Sequence, residues 1–234
     1  MPLRVLVTTA LAAPLAQHLA GQGLHPVHVP LIEAVPTGEA APDGAPAGVL
    51  VTSARTPRMA PDLAARVGAA RVVAVGERTR QALVAAGVPV AATGTSGGAA
   101  AVALVDDLLP AGARLWHVGA RAPSRQLADA LAGLERPVSR WRVYQTQVPS
   151  GARAALAAVG PVDVVTFASG SAARAFAALW PGPPPRVAVL GPSTHEDAEA
   201  AGLAVHAVAR SRQLEGLAEA AARAGRSLSA PSRG

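Results

Sequence analysis

The sequence contains no lysine and no cysteine, and only 3% of its residues are aromatic. Without lysine there can be no Schiff base, no P-loop lysine and no lysine general base. Without cysteine there is no disulfide, thiolate nucleophile, iron–sulfur cluster or cysteine-ligated zinc, so no part of the chain requires an oxidising compartment. The scarcity of aromatic rings leaves few residues that could stack on a flat ligand.

Long apolar runs are also missing, since none approaches the roughly 20 residues that a membrane span needs. The first residues have the pattern of a short strand followed by an amphipathic helix, and not the layout of a signal peptide. We therefore expect a cytoplasmic protein that does not associate with membranes.

Half of the 234 residues are hydrophobic, which is enough for one large core or for two ordinary ones. The 21 basic residues, all arginine, exceed the 15 acidic residues and give a formal net charge of +6. This excess is moderate and spread along the chain. It favours anionic partners such as phosphates or carboxylates.

An internal duplication is the strongest pattern in the sequence. Short apolar runs lead into Ser/Thr/Gly turns and alanine-rich helices, first from Gly48 and again from Asp163. The matching pairs are Gly76 and Gly191, Thr79 and Thr194, and Gly87 and Gly202, all 115 residues apart, with Ser53 and Ser169 at 116. A second echo, at an offset of about 110, joins the N-terminus to the middle of the chain.

Each half is predicted to alternate strands of four to six apolar residues with helices of ten to fifteen. This alternation is typical of parallel sheets covered by helices, so we expect two similar α/β domains whose facing sheets form a cleft. Linkers are predicted at 36–48 and 146–152, where the apolar periodicity lapses.

Small hydroxyl residues follow four of the predicted strands. In parallel α/β sheets ligands bind beyond the carboxyl ends of strands, where helix N-termini expose unpaired N–H groups. The alternative is that these hydroxyls only cap helices, although capping and anion binding are compatible. The four turns are Thr52–Ser53, Gly76–Thr79, Ala168–Ser171 and Gly191–Thr194.

Other kinds of site are poorly supported by the sequence. The six histidines are scattered, so we predict no metal site, and no glycine motif has the spacing of a nucleotide site. The carboxylate pairs Asp106–Asp107 and Glu196–Asp197 lie in predicted helices, where solvated faces are the usual explanation. Tyr144 is the only tyrosine and ends the strand before the second linker. It is a candidate site residue or a half-buried strand tyrosine with its hydroxyl at the rim.

Taken in order, five segments of the chain resemble the uroporphyrinogen-III synthase family over nearly the whole length. They are VLVTSARTPRMA, VAVGERTRQALVAAGVPV, VYQTQ, VTFASGSAARAF and VLGPSTHEDAEAAGL. The resemblance implies two α/β domains joined by a two-stranded linker. Domain 1 would comprise residues 1–35 and 148–225, and domain 2 residues 39–143, while 226–234 is predicted to be a disordered tail.

The resemblance also implies an activity in tetrapyrrole and heme biosynthesis: a cofactor-free lyase that cyclises hydroxymethylbilane to uroporphyrinogen III. It implies a monomer that makes at most transient contact with hydroxymethylbilane synthase. Tyr144 corresponds to the tyrosine proposed as general acid in the family, and Thr79 and Thr194 to positions that affect activity. The predicted substrate-binding residues are Ser53, Gly76, Thr79, Gly119, Ser169, Gly170, Ser171, Gly191, Ser193 and Thr194.

Two departures from the family pattern leave Thr9 and Arg121 outside this set. Many relatives have an arginine after the first threonine, where this chain has Thr9, and the segment from Gly119 is longer than usual. A rival hypothesis is a non-catalytic domain that binds a tetrapyrrole or another polycarboxylate as a sensor; retention of Tyr144, Thr79 and Thr194 counts against it. Nucleic-acid binding is not supported, because the sequence lacks aromatic residues on which bases could stack and has no recognised DNA- or RNA-binding motif.

Overall fold

The computed structural model describes residues 1–10, 12–95 and 98–226. The chain forms two compact units. Unit 1 comprises Met1–Glu33 and the chain from Gln147 onward, and unit 2 comprises Ala34–Thr146. The predicted linker at 36–48 therefore lies within unit 2. The predicted tail at 226–234 lies outside the described residues, apart from Arg226.

The strands are short, and most are apolar and β-branched. They are β1 (Arg4–Val7), β2 (His25–His28), β3 (Glu33–Pro36), β4 (Gly48–Val51), β5 (Arg71–Ala74), β6 (Ala92–Thr93), β7 (Leu115–Ala120), β8 (Val138–Gln147), β9 (Val164–Phe167), β10 (Arg186–Val189) and β11 (Val205–Val208).

The helices are mostly rich in alanine, the strongest helix former. They are α1 (Ala12–Gly21), α2 (Thr56–Met59), α3 (Leu63–Val67), α4 (Glu77–Ala85), α5 (Gly98–Leu108), α6 (Arg125–Ala132), α7 (Ala152–Val159), α8 (Gly170–Leu179), α9 (Pro192–Ala200) and α10 (Leu214–Arg226). None of these helices, all within the described residues, is long and apolar enough to cross a bilayer.

In the described part of unit 1, five parallel strands form a sheet in the order β11, β10, β9, β1, β2. One face packs against α7, α8 and α9 through a core that includes Leu156, Phe167 and Phe176. The other face packs against α1 and α10, with Leu19 and Leu217 fully buried. Because both faces are covered, the inner strands β10, β9 and β1 are apolar at three of their four positions each.

In the described part of unit 2, the sheet order is β3, β8, β7, β4, β5, β6, and β4 to β8 pair in parallel. One face carries α2, α3 and α4 over a core that includes Leu63, Leu83 and Trp116. The opposite face carries α5 and α6 over Val102 and Leu127. The predicted architecture of parallel sheets flanked by helices is thus confirmed.

The strand orders show how the duplication is built. The run β6, β5, β4, β7, β8 in unit 2 matches β11, β10, β9, β1, β2 in unit 1. The first echo therefore relates β4–β6 to β9–β11, and the second relates β7 and β8 to β1 and β2. The helices follow the same pattern, since α5 packs on α6 as α10 packs on α1.

Candidate active site

The starts of α4 and α9 are built alike. Gly76 and Gly191 precede these helices in the same extended conformation, with φ of −176° at both and ψ of 172° and 177°. The amide of Thr79 donates to the Gly76 carbonyl at 3.0 Å, and that of Thr194 donates to the Gly191 carbonyl at 3.1 Å. The 115-residue repeat therefore preserves backbone geometry as well as residue type.

The two threonines are buried at these helix starts, with 4% of Thr79 and 6% of Thr194 exposed. No described residue shares a hydrogen bond with either hydroxyl. The first-turn N–H groups of a helix have no partner within it and carry partial positive charge. The amides of Thr79 and Thr194 are already bonded to Gly76 and Gly191, and Pro192 has no N–H, so the donors left at these turns, within the described residues, are the amides of Glu77, Arg78 and Ser193. Each turn thus combines at least one such amide with a threonine hydroxyl, which suits a carboxylate.

The start of α8 also lacks a side-chain cap. Ser169 is extended, with φ of −156° and ψ of 150°, and its hydroxyl pairs with that of Ser171 at 3.2 Å instead of with a backbone amide. Side-chain caps are likewise absent at α4 and α9. The interpretation of these hydroxyls as helix N-caps is therefore wrong at all three helices, and no cap side chain occupies their first-turn amides.

Gly170 has a packing partner that the sequence did not indicate. A Cβ atom at this position would overlap Oδ2 of Asp197, so the α9 carboxylate lies directly against the first residue of α8. The other carboxylate oxygen of Asp197 accepts a hydrogen bond from the Arg174 guanidinium at 2.6 Å. Asp197 is thus more than part of a solvated helix face, and the glycine has a steric explanation of its own.

We expect Gly170→Ala to lower the free energy of unfolding by about 1–3 kcal/mol, because the new methyl group overlaps Asp197. The midpoint of urea unfolding measures this loss. Gly182→Ala is the matched control, since a Cβ atom there meets nothing within 4 Å. Asp197→Gly combined with Gly170→Ala should recover part of the loss, and equal midpoints for both single variants would contradict the overlap.

In unit 2, Ser53 stabilises the turn that follows the carboxyl end of β4. Its hydroxyl accepts a hydrogen bond from the Arg55 amide at 3.2 Å, and its carbonyl accepts one from the Thr56 amide at 3.1 Å. A hydroxyl bonded two residues ahead is a common way of fixing a turn. Ser53 therefore shapes the backbone that follows β4.

Thr52, the residue before this turn, is bonded to a buried histidine. Nε2 of His117 lies 3.1 Å from Oγ1 of Thr52, and only 1% of His117 is exposed. Burial, together with the positive charge of Arg140, lowers the pKa of His117 from 6.5 to about 4. His117 is therefore neutral near pH 7.

Gly119 leaves room for this pair, because a Cβ atom there would lie 2.5 Å from Oγ1 of Thr52. From the sequence, His117 was only one of six scattered histidines, and its contact with Thr52 was not predicted. The available signal was an ionisable residue inside the apolar strand LWHVGA.

A β-bulge in β8 determines the direction of Tyr144. Gly119 pairs with Arg142, but the next residue, Ala120, pairs with Tyr144, so Val143 is an extra residue. Val143 and Tyr144 consequently pack in the same core cluster, beneath α2, α3 and α4, although neighbours in a regular strand alternate between faces. Tyr144 is 6% exposed, and its carbonyl accepts a hydrogen bond from the Arg121 amide at 2.7 Å.

Strand order decides which predicted residues come together within each unit. In unit 2, β7, β4 and β5 are neighbours, so Gly119 near the carboxyl end of β7 lies at the same edge of the sheet as Ser53 and Gly76, which follow β4 and β5. In unit 1, β9 and β10 are neighbours, which places the turn at Ser169–Ser171 beside the turn at Gly191–Thr194. This is the edge at which open α/β sheets bind ligands. No His, Asp or Glu cluster suited to a metal ion occurs within the ranges that the structure describes.

The fold is similar to that of solved uroporphyrinogen III synthases. A mutant of the Thermus thermophilus enzyme is 18% identical, with a TM-score of 0.61, over 96% of this chain and 99% of that one. The uroporphyrinogen-III synthetase of Helicobacter pylori 26695 is 17% identical, with a TM-score of 0.67, over 94% of this chain and 97% of that one. No curated protein matches the chain in sequence.

At the level of sequence families, the model of "Uroporphyrinogen-III synthase HemD" matches residues 13–219. This range covers most of both units and every one of the predicted site residues. The chain therefore belongs to the uroporphyrinogen-III synthase family.

Proposed function

We propose that this chain converts hydroxymethylbilane to uroporphyrinogen III with loss of water and inversion of the last pyrrole ring. Family membership carries the proposal. The free amides and buried threonine hydroxyls at the starts of α4 and α9 support it, because the substrate bears eight carboxylates. The net charge of +6 favours the same kind of ligand.

The reaction needs selection between two ring closures. Loss of the terminal hydroxyl as water leaves an azafulvene, and attack by the substituted carbon of the last ring gives a spiro intermediate. Reopening and reclosure then invert that ring, whereas the unassisted bilane closes without inversion. A difference of about 3 kcal/mol between the two transition states gives more than a hundredfold preference.

The residues proposed to bind substrate are Ser53, Gly76, Thr79, Gly119, Ser169, Gly170, Ser171, Gly191, Ser193 and Thr194. Backbone amides would contribute as much as side chains. In α9 the contribution would come from the Ser193 amide, because Pro192 has no N–H and the Thr194 amide is bonded to Gly191. Tyr144 would protonate the leaving hydroxyl. Holding the reacting atoms in the right geometry supplies much of the remaining rate enhancement.

Several further features remain proposals. The enzyme would act as a monomer in the cytoplasm. Any contact with hydroxymethylbilane synthase would be transient. Domain 1 would fold from 1–35 with 148–225, and domain 2 from 39–143.

The purified chain, supplied with bilane generated by a deaminase and without added metal or nucleotide, is expected to yield mainly the III isomer. Chromatographic separation of the oxidised isomers measures the ratio. The control is the same mixture without this chain, which should yield the I isomer. If the complete mixture also gave only the I isomer, the chain would not be a catalyst.

A further inference from the structure

The pair formed by His117 and Thr52 has no counterpart in unit 1. In unit 2 the sheet register pairs His117 with Leu50, and in unit 1 it pairs Val7 with Thr166. Leu50 and Thr166 are 116 residues apart, the same offset that relates the serine turns of the two units. Val7 therefore occupies the place in unit 1 that His117 occupies in unit 2.

The same offset makes Ala168 the counterpart of Thr52. Val7 is fully buried and packs with other apolar side chains beneath α1 and α10, and Ala168 packs against the same cluster. In unit 1 the apolar pair Val7 and Ala168 therefore fills the place that His117 and Thr52 fill in unit 2. The fold alone does not require an imidazole bonded to a hydroxyl in unit 2.

The polar pair is also unfavourable where it lies. Nδ1 of His117 is buried and has no hydrogen-bond partner among the described residues, and neither has Nε of Arg140, the register partner of His117 on β8. A buried polar atom without a partner destabilises the folded state. Buried polar groups that cost stability in this way point to a function, since unfavourable local arrangements are most often found at functional sites.

What the pair holds is the beginning of the turn after β4. The Thr52 amide donates to the Val118 carbonyl at 3.4 Å, and Oγ1 of Thr52 is held by His117 at 3.1 Å. The side chain and backbone of Thr52 are therefore both anchored to β7. The next residue is Ser53, whose hydroxyl and carbonyl organise the turn itself.

We infer that His117 is a positioning residue, which fixes Thr52 and thereby orients the turn at Ser53 for a carboxylate of the substrate. This inference rests on the proposed function. His117 does not itself reach the ligand, because only 1% of it is exposed, whereas Thr52 is half-buried. Its effect is on binding more than on the chemical step.

Transplanting the unit 1 pair into unit 2 tests the inference. The double variant Thr52→Ala/His117→Val is expected to fold and to raise KM for hydroxymethylbilane about tenfold, with kcat changed less than about twofold. His117→Gln retains a hydrogen-bonding group near Nε2 and should keep KM within about threefold of the unmodified chain. His18→Gln, on the exposed face of α1, is the control for losing an imidazole and should change neither constant.

A KM unchanged in the double variant would overturn the inference, as would a His117→Gln variant with KM as high as that of the double variant. If the double variant failed to fold, Thr52→Val would replace it, since this change removes only the hydroxyl that His117 holds; its KM should also rise, and an unchanged KM would overturn the inference. The unmodified chain is assayed alongside. If it forms no III isomer, the proposed function fails, whereas III isomer with unaltered variants refutes only the role of His117.

Discussion

Tyr144→Phe is expected to lower kcat for III isomer formation by about a hundredfold, the lower end of the contribution typical of one general acid. The ring of Tyr144 packs with Val143 in the core of unit 2 and is retained in the variant, so the free energy of unfolding should change by less than about 1 kcal/mol. The proportion of I isomer should rise, because the slowed enzyme competes less well with unassisted closure. Initial rates and isomer ratios measure both effects.

Val143→Ala is the matched control for Tyr144→Phe, since it disturbs the same core cluster without touching the hydroxyl. It should lower stability while leaving kcat within a few-fold of the unmodified value. Equal kcat for Tyr144→Phe and the unmodified chain would remove Tyr144 from the mechanism. A comparable loss of kcat in Val143→Ala would show that packing around Tyr144, and not its proton, is what matters.

The second large effect concerns acid stability. The pKa of His117 is about 4 in the folded chain, against 6.5 for an ordinary histidine, because the imidazole is buried beside Arg140. Between these values the unfolded chain binds a proton that the folded chain does not, so stability falls as pH falls. The loss from this group begins near pH 6.5, is complete near pH 4, and amounts to at most about 3 kcal/mol.

The experiment compares urea unfolding of the unmodified chain and His117→Val from pH 7 to pH 4. Carboxylates titrate alike in both proteins, so the difference between their unfolding free energies isolates His117. That difference should change steadily in favour of the variant as the pH is lowered. A difference that stays constant over this range would show that His117 takes up protons equally in the folded and unfolded chain.

Much of the fold was predictable because its signals are local. Gly76 and Gly191, with their threonines three residues later, carry a turn and helix start that repeat at a constant spacing. Such a pattern fixes elements and their order without knowledge of any long-range contact. The predicted α/β architecture and family are both confirmed.

The contacts that could not be predicted all depend on register between distant segments. His117 meets Thr52 across 65 residues, and a shift of one residue would turn the imidazole to the opposite face of the sheet. Asp197 reaches Gly170 only because α9 and α8 lie side by side. The bulge at Val143 is a mismatch between two strands, and neither strand shows it alone.

The strand order has a consequence for synthesis on the ribosome. The strands that make up the sheet of unit 2 lie within one continuous stretch of chain, so it can be completed while later residues are still being added. β1 is translated first, but it can pair with its neighbour β9 only after β9 has been synthesised, about 160 residues later. Closing so long a loop is slow, and we expect the sheet of unit 1 to be the last part of the nascent chain to form.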